Sequence, residues 1–278
     1  MMKSSSRKRV LGLPIDDVTL PSLIEVLDDR IIKRKFSVIY GFSVTLLGRL
    51  GSLPELFDYF EGFDFVISDG AGVPPLARIL GIKLNRYIGI PNLADELVKL
   101  CSDKGYKLML FGATEEINRD ACANLKRRYP DLKLCEGIHG YFKEAEEAAI
   151  AERIKQASPD VLFIGISSPI KERFALTWKN HMEVPVILPC GGMIDIYSGK
   201  TKREPRFLFR LPLAWLFRWV QEPLRLFRPL LIPGIYFIFV VFPKAMFHIY
   251  FHGNKNVTLK ELLLNSRQSP FSLDGAER

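Results

Sequence analysis

Six arginines in the C-terminal quarter of the chain recur at intervals that would place several guanidinium groups on one surface of a helix. A guanidinium binds phosphate oxygens through paired hydrogen bonds, so residues 200–228 suit an anionic membrane surface, a diphosphate group, or both. A solvated charged face over an ordinary core is the simpler alternative. The six are Arg203, Arg206, Arg210, Arg218, Arg225 and Arg228.

The positive charge of the chain is concentrated in the same quarter. Residues 200–252 hold nine Lys and Arg against two Glu, a net charge of +7, whereas residues 1–199 sum to zero and the whole chain to +8. Such a field attracts anionic lipid or nucleic acid. The basic segment continues directly into an apolar one and no nucleic-acid motif is present, so we expect an anionic membrane surface as partner and no nucleic acid.

The apolar segment begins after the last of these arginines. Residues 229–243 carry no charge, and apolar residues resume after Lys244. A membrane span needs roughly 20 apolar residues, and this run is shorter and interrupted by Pro233 and Gly234. We interpret residues 229–251 as an interfacial or re-entrant segment with Lys244 at its polar edge. A tilted single span over the same residues is the main alternative, and a buried core helix is the third.

The remaining composition limits the class of protein. The first residues, MMKSSSRKRVLGLPIDDVTL, lack the long apolar stretch of a secretory signal, so we expect the globular part in the cytoplasm. The four cysteines are scattered without a C-x-x-C pair, and the four histidines form no ligand cluster. We therefore expect reduced thiols, no metal site and no cofactor. The tail after about residue 264 has the composition of a disordered segment.

Short apolar runs alternate with longer amphipathic stretches over residues 1–199. This alternation predicts a Rossmann-like α/β fold, a parallel sheet with helices on both faces. A helix capped by Thr19 and a helix closed by Gly105 are part of this prediction. The predicted strands lie within residues 9–15, 36–42, 63–70, 106–116, 160–169 and 184–199, and a single helix is predicted over residues 45–60.

Polar residues and glycines follow several of the predicted strands. Open α/β sheets bind ligands at the carboxyl ends of their strands, and Asp69 lies at such an end. A helix cap is the simpler role for this residue. Gly112 precedes a helix start that could hold a phosphate, while Gly191 and Gly192 would allow close backbone approach to a ligand with Asp195 just beyond. These glycines could equally be turn residues.

Taken together, an ordered set of motifs resembles the WecG/TagA/CpsF family of bacterial glycosyltransferases, over roughly residues 8–229. The motifs are SDGAGV at 68–73, FGATEE at 111–116, YPDLKLCEGIHGYF at 129–142, SPDVLFIGISSPIKERF at 158–174, CGGMIDIYSGKTKREP at 190–205 and AWLFRWVQEPLRLFR at 214–228.

The resemblance implies an inverting enzyme of cell-surface polysaccharide biosynthesis. It would move a sugar from a UDP-sugar to a polyprenyl-diphosphate-linked sugar at the cytoplasmic face of the plasma membrane, as a peripheral or monotopic protein. We expect a catalytic α/β domain over residues 1–199, a basic helical membrane-binding appendage over 200–252 and a partly disordered tail over 253–278. Whether the protein forms a homo-oligomer stays open.

The resemblance also implies roles for particular residues. Asp69 matches the proposed catalytic base, and the arginines of the C-terminal appendage match groups beside the diphosphate. The expected nucleotide-sugar-binding residues are Gly112, Tyr141, Gly165, Glu172, Gly191, Gly192 and Asp195. The expected diphosphate-binding residues are Arg86, Arg218, Arg225 and Arg228.

The chemistry of the residues agrees with these roles. Inversion needs a carboxylate to take the proton of the attacking hydroxyl, which suits Asp69. The departing diphosphate needs positive charge, and no Asp-x-Asp pair that could hold a divalent metal occurs in the chain. Because arginines can provide the same stabilisation, we expect a metal-independent reaction.

Several positions depart from the family pattern. Ile39 and Gly41 stand where the family has Thr and Asn, and Lys171 stands where it has Gln. These changes leave open the donor sugar, which could be N-acetylmannosamine, its uronic acid, glucose or another hexose. They also support a rival interpretation, a degenerate accessory protein that binds a nucleotide or lipid diphosphate. A basic membrane scaffold is a third option, but it leaves the glycine-rich strand ends unexplained.

Overall fold

The fold of the chain was analysed in a computed structural model, which describes residues 7–51, 53–84, 87–203, 214–221, 223, 232–251 and 258–264. Its centre is an eight-stranded sheet in the order β1-β2-β4-β3-β8-β7-β5-β6, and strands β2 to β8 run parallel to one another. The strands are β1 (Arg7–Val10), β2 (Leu13–Asp16), β3 (Ser37–Phe42), β4 (Phe65–Ser68), β5 (Lys107–Gly112), β6 (Lys133–Leu134), β7 (Val161–Gly165) and β8 (Val186–Pro189).

The first predicted strand is in fact two strands. β1 and β2 form an antiparallel hairpin whose turn is Leu11 and Gly12, both with positive φ. The prediction of a single strand over residues 9–15 was therefore wrong, because it did not recognise the turn that this glycine permits. The sheet is mostly parallel, with one antiparallel strand at its edge.

Helices cover both faces of the sheet, as the sequence predicted. One face packs against α1 (Leu20–Ile32), α5 (Ile90–Lys104), α6 (Glu115–Arg128) and α9 (Met193–Ser198). The other face packs against α2 (Val44–Arg49), α3 (Leu56–Tyr59), α4 (Val73–Ile79), α7 (Glu147–Ala157) and α8 (Ile170–Met182). The six inner strands are almost completely buried, which is the usual state of a parallel sheet covered on both faces, whereas the edge strands β1 and β6 are partly exposed.

Two helix boundaries agree with the sequence and one does not. The Thr19 hydroxyl accepts a hydrogen bond from the Ser22 amide at the start of α1, and Gly105 closes α5 in the left-handed conformation. The single helix predicted over residues 45–60 is wrong: α2 ends at Arg49 and α3 begins at Leu56. Pro54 lies between them, and a proline lacks the amide that a continuous helix would need there.

The C-terminal segments pack on the same core. A helix that we call the apolar helix runs over residues 232–251, as α11 (Ile232–Tyr236), a π-turn (Phe237–Val241) and α12 (Phe242–Phe251). Pro233 lies in its first turn, where a proline is tolerated, so it does not interrupt the helix as the sequence suggested. Phe237, Val241 and Ala245 form its buried stripe.

A short helix, α13 (Leu259–Leu264), packs beside the apolar helix, and the Leu259 amide donates to the Leu11 carbonyl of the hairpin at 2.8 Å. Of the residues described, one stretch, Gly234–Phe251, has the length and composition to cross a membrane, and 17% of it is buried. Helix α10 (Ala214–Gln221) lies in the basic segment. The segment predicted to be disordered, after about residue 264, lies outside the described residues.

Candidate active site

The carboxyl ends of five neighbouring strands form the edge on which most of the predicted site residues lie. Asp69 follows β4, Gly112 ends β5, Gly165 ends β7, and Gly191 and Gly192 follow β8. β3 and β8 lie between β4 and β7. Four strand spacings of about 4.8 Å separate the β4 end from the β5 end, roughly 19 Å. An elongated ligand could therefore contact both ends of this row.

The Asp69 carboxylate is held by the backbone around it. Its amide donates to the Phe42 carbonyl of β3 at 2.8 Å, and its Oδ1 accepts a hydrogen bond from the Ile90 amide at the start of α5, at 2.9 Å. The side chain remains partly exposed. β4 thus fixes the position of Asp69, and α5 fixes the orientation of its carboxylate.

Gly41 makes this arrangement possible. A Cβ atom built on Gly41 would lie 3.0 Å from Asp69 Oδ2 and 2.8 Å from Ile90 Cγ1, both closer than ordinary van der Waals contact. The nearby Ile39 side chain is completely buried in the core. Two positions with polar side chains in the family pattern are thus used here for packing, and at Gly41 the absence of a side chain leaves room for the carboxylate.

The glycines of the other strand ends pack against one another. A Cβ on Gly112 would clash with the Gly165 carbonyl, a Cβ on Gly140 would lie 2.9 Å from the Gly112 Cα, and a Cβ on Gly165 would lie 2.9 Å from the Gly191 carbonyl. The Gly112 amide donates to the Ile138 carbonyl at 2.8 Å, so it is not available to a phosphate in this conformation. Close backbone packing accounts for these glycines, and their contact with a nucleotide stays a prediction.

Glu172 lies in the first turn of α8 and has no exposed surface. Its Oε1 accepts hydrogen bonds from the Tyr40 hydroxyl at 2.9 Å and the Ser168 hydroxyl at 2.7 Å, while its Oε2 has no hydrogen-bond partner among the described residues. Burial, followed by the Glu172 charge, raises the pKa of Tyr40 well above its usual value, so the phenol stays protonated and donates. Glu172 Oε1 thus orients the Tyr40 and Ser168 hydroxyl groups.

Sequence reasoning missed Tyr40, Ser168 and the position of the Lys171 ammonium. The sequence placed Tyr40 in a predicted strand and gave it no function. It placed Ser167, Ser168 and Pro169 at the end of another predicted strand. The signal in the sequence was a polar run that interrupts the apolar pattern just before a helix, and α8 itself was not predicted.

Asp195 and Tyr141 lie towards the β8 and β5 ends of the edge. The Asp195 side chain in α9 is largely buried, and its Oδ1 lies 3.7 Å from Lys200 Nζ. Tyr141 is 72% exposed and follows Gly140, which packs against Gly112. A largely exposed aromatic ring beside a strand end is available to stack on a base, and this role stays a prediction.

The predicted diphosphate-binding arginines lie outside what the structure describes. Arg86, Arg225 and Arg228 are not among the described residues, and Arg218 belongs to α10 without a described side chain. Arg203, counted with the surface arginines in the sequence, instead pairs with Asp95 and donates to Asn92 Oδ1 at 2.8 Å. This guanidinium holds the start of the basic segment against α5.

An open α/β sheet with an oriented carboxylate at its carboxyl edge places the chain in a class of proteins that bind their ligands at the strand ends. Comparison with known proteins narrows the class. A family model described as "Glycosyl transferase WecG/TagA/CpsF family" matches residues 8–249. The chain belongs to this family of glycosyltransferases, as the sequence motifs indicated.

Named relatives agree with the family. A protein of Bacillus subtilis (strain 168) is 27% identical over 223 residues, 80% of this chain and 86% of the relative. A protein of Staphylococcus aureus (strain MW2) is 27% identical over 240 residues, 83% of this chain and 91% of the relative. Both are named N-acetylglucosaminyldiphosphoundecaprenol N-acetyl-beta-D-mannosaminyltransferase.

Proposed function

We propose that this protein is an inverting glycosyltransferase that moves a hexose, of the N-acetylmannosamine type or another, from a UDP-sugar to a polyprenyl-diphosphate-linked sugar. The family supports sugar transfer, and the names of the relatives support a lipid-diphosphate acceptor. Those names also specify a β-linked product, and transfer from an α-linked nucleotide donor to a β-linked product inverts the anomeric carbon. At 27% identity the donor sugar can differ from that of the relatives.

The observation that carries this proposal is the Asp69 carboxylate, oriented by the Ile90 amide at the carboxyl edge of the sheet. The acceptor hydroxyl oxygen attacks the anomeric carbon, and its proton passes to Asp69. The bond from that carbon to the diphosphate oxygen breaks, and UDP leaves with the bonding electrons. A positioned carboxylate contributes about 10²–10⁴-fold in such a step.

Charge on the departing UDP must be stabilised in the same step. The chain has no Asp-x-Asp pair, and its C-terminal quarter is rich in arginine. We propose that Arg86, Arg218, Arg225 and Arg228 provide this stabilisation without a metal ion, because a guanidinium binds two phosphate oxygens at once.

We further propose that the protein works on the cytoplasmic face of the membrane, with the apolar helix lying on the bilayer. One side of this helix packs on the core through Phe237 and Val241, whereas Phe239, Phe247 and Phe251 on other sides are exposed, Phe251 by 80%. A helix fixed to a globular core along one side favours an orientation in the membrane surface over a crossing. The positive charge of the basic segment would add attraction to anionic lipid.

The test is sugar transfer from a panel of UDP-sugars to a short-chain polyprenyl-diphosphate sugar, with EDTA present. The wild type, Asp69→Asn and the control Asp29→Asn are compared; Asp29 lies on α1 and pairs with Lys33 on the surface. We expect transfer by the wild type and the control, and a loss of about 10²–10⁴-fold in Asp69→Asn with UDP binding retained. Full activity of Asp69→Asn would reject Asp69 as the base.

One observation favours a second candidate function, a binding protein of polysaccharide assembly without transferase activity. Ile39 is fully buried and Gly41 has no side chain, so neither provides the polar group of the family pattern. Binding of UDP by the folded wild type with no transfer from any donor would support this candidate over the enzyme.

A further inference from the structure

The position of Lys171 in its helix is unfavourable for a positive charge. It is the second residue of α8, in the first turn, where the helix dipole favours negative charge and disfavours a cation. Its side chain is only 16% exposed, so its ammonium group is also partly removed from water. Helix stability and solubility therefore give no reason for a lysine at this position.

The Lys171 ammonium group lacks good partners in the part of the chain that the structure describes. Its one ionic contact there is with Glu172 Oε1, at 3.7 Å, which is longer than a hydrogen bond. That oxygen already accepts hydrogen bonds from the Tyr40 and Ser168 hydroxyls. An ammonium has three donors, and a partly buried one gains by donating them to an anion. Glu172 thus balances the charge of Lys171 without using its donors.

The ammonium group faces the glycine turn after β8. Apart from its two chain neighbours, the described residues place a single atom within 4 Å of a Cβ built on Gly191, the Lys171 Nζ at 3.9 Å. Gly191 has φ +56, so a side chain there would also be strained. The space over this turn is bordered by a glycine backbone and a cation, at the same strand ends as the predicted nucleotide-sugar site.

We propose that Lys171 Nζ binds an oxyanion of the sugar donor over the Gly191 turn. This inference rests on the proposed function. The oxyanion is either a diphosphate oxygen or the carboxylate of a uronic acid, and the same charge-assisted hydrogen bond would recognise both. A lysine recognises either as a point charge, without the fixed fork of an arginine.

The experiment measures binding by calorimetry for the wild type, Lys171→Met and Lys171→Arg, with Lys33→Met as the control. Lys33 is a surface residue that follows α1 at the opposite edge of the sheet, so this control removes the same charge away from the site. The ligands are UDP, uridine, a UDP-hexose and the corresponding UDP-hexuronate. Thermal unfolding of each variant establishes that it is folded.

If Lys171 holds the diphosphate, Lys171→Met weakens UDP binding by about tenfold or more and leaves uridine binding unchanged, and Lys171→Arg recovers part of the loss. If it holds a uronate, Lys171→Met weakens UDP-hexuronate binding selectively and leaves UDP binding unchanged. A folded Lys171→Met protein that binds all four ligands like the wild type overturns the inference but leaves the proposed function intact. A folded wild type that binds no UDP overturns both.

Discussion

The substitution Gly41→Ala should slow sugar transfer, because its added methyl group would displace the carboxylate of Asp69 without changing that residue. Gly41 lies in β3 and does not adopt a left-handed conformation, so alanine fits the backbone there without strain. The new Cβ would lie 2.8 Å from Ile90 Cγ1 and 3.0 Å from Asp69 Oδ2. Normal contact requires about 3.5–4.0 Å, so these two groups must retreat by about 0.5–1 Å.

The expected size of the effect follows from this displacement. Overpacking of this kind costs about 1–3 kcal/mol of unfolding free energy, or roughly 2–12 °C in the midpoint for a chain of this size. A misplacement of about 1 Å at a reacting group costs about a hundredfold in rate, so we expect transfer to fall by about tenfold to a hundredfold in Gly41→Ala. The Ile90 amide that orients Asp69 belongs to the same displaced group, which increases the effect.

The assay is the rate of transfer at saturating donor, together with thermal unfolding. Gly51→Ala is the matched control, because a Cβ there would meet its nearest atom at 3.4 Å, an ordinary contact. A double variant tests the cause: once Asp69→Asn has removed the base, Gly41→Ala should slow transfer no further. Gly41→Ala with wild-type rate and stability would refute this account of the packing, and additive losses in the double variant would show that Gly41 acts elsewhere.

Two further predictions concern stability and the membrane. Burial, followed by the charge of Asp95, raises the pKa of Tyr197 well above its usual value, so the folded state keeps the phenol proton more tightly than the unfolded state does. The resulting stability is present below about pH 10 and is lost as pH rises above it, so Tyr197→Phe should flatten the decline of the unfolding midpoint above about pH 10; an unchanged decline would contradict this. Phe239→Glu with Phe247→Glu should weaken binding to vesicles of anionic phospholipid by about tenfold or more, whereas Ile32→Glu, an exposed apolar residue on α1, should not. Equal sedimentation of the three proteins with vesicles would reject the apolar helix as the docking surface.

Local patterns predicted much of the fold because they depend on neighbouring residues. Thr19 and Gly105 marked helix ends through side-chain capping and a left-handed turn, and both are confirmed. The hairpin at Leu11 and Gly12 and the break at Pro54 were missed, because an apolar run of seven residues and an amphipathic run of sixteen each match a single element.

The site was less predictable, because its contacts join distant parts of the chain. Asp69 could be placed at a strand end from its position alone. The Asp69 carboxylate follows β4, but it accepts its hydrogen bond from the Ile90 amide at the start of α5, 21 residues later in the chain. Lys171 lies in α8, and its ammonium is close to Gly191, which follows β8. Neither pairing leaves a signal in local periodicity or composition.

The sequence by itself determined the class of fold, the family, and the concentration of positive charge before an apolar segment, because alternation, ordered motifs and composition are properties of the chain. Only the tertiary structure decided what the glycines do. Gly112 and Gly165 allow backbones to meet, and Gly41 leaves room for a carboxylate. It also decided that Glu172 is buried and that Lys171, within the part of the chain that the structure describes, has only the 3.7 Å ionic contact with Glu172. These outcomes depend on which atoms the sheet order and helix packing bring within a few ångströms of one another, and no residue carries that information alone.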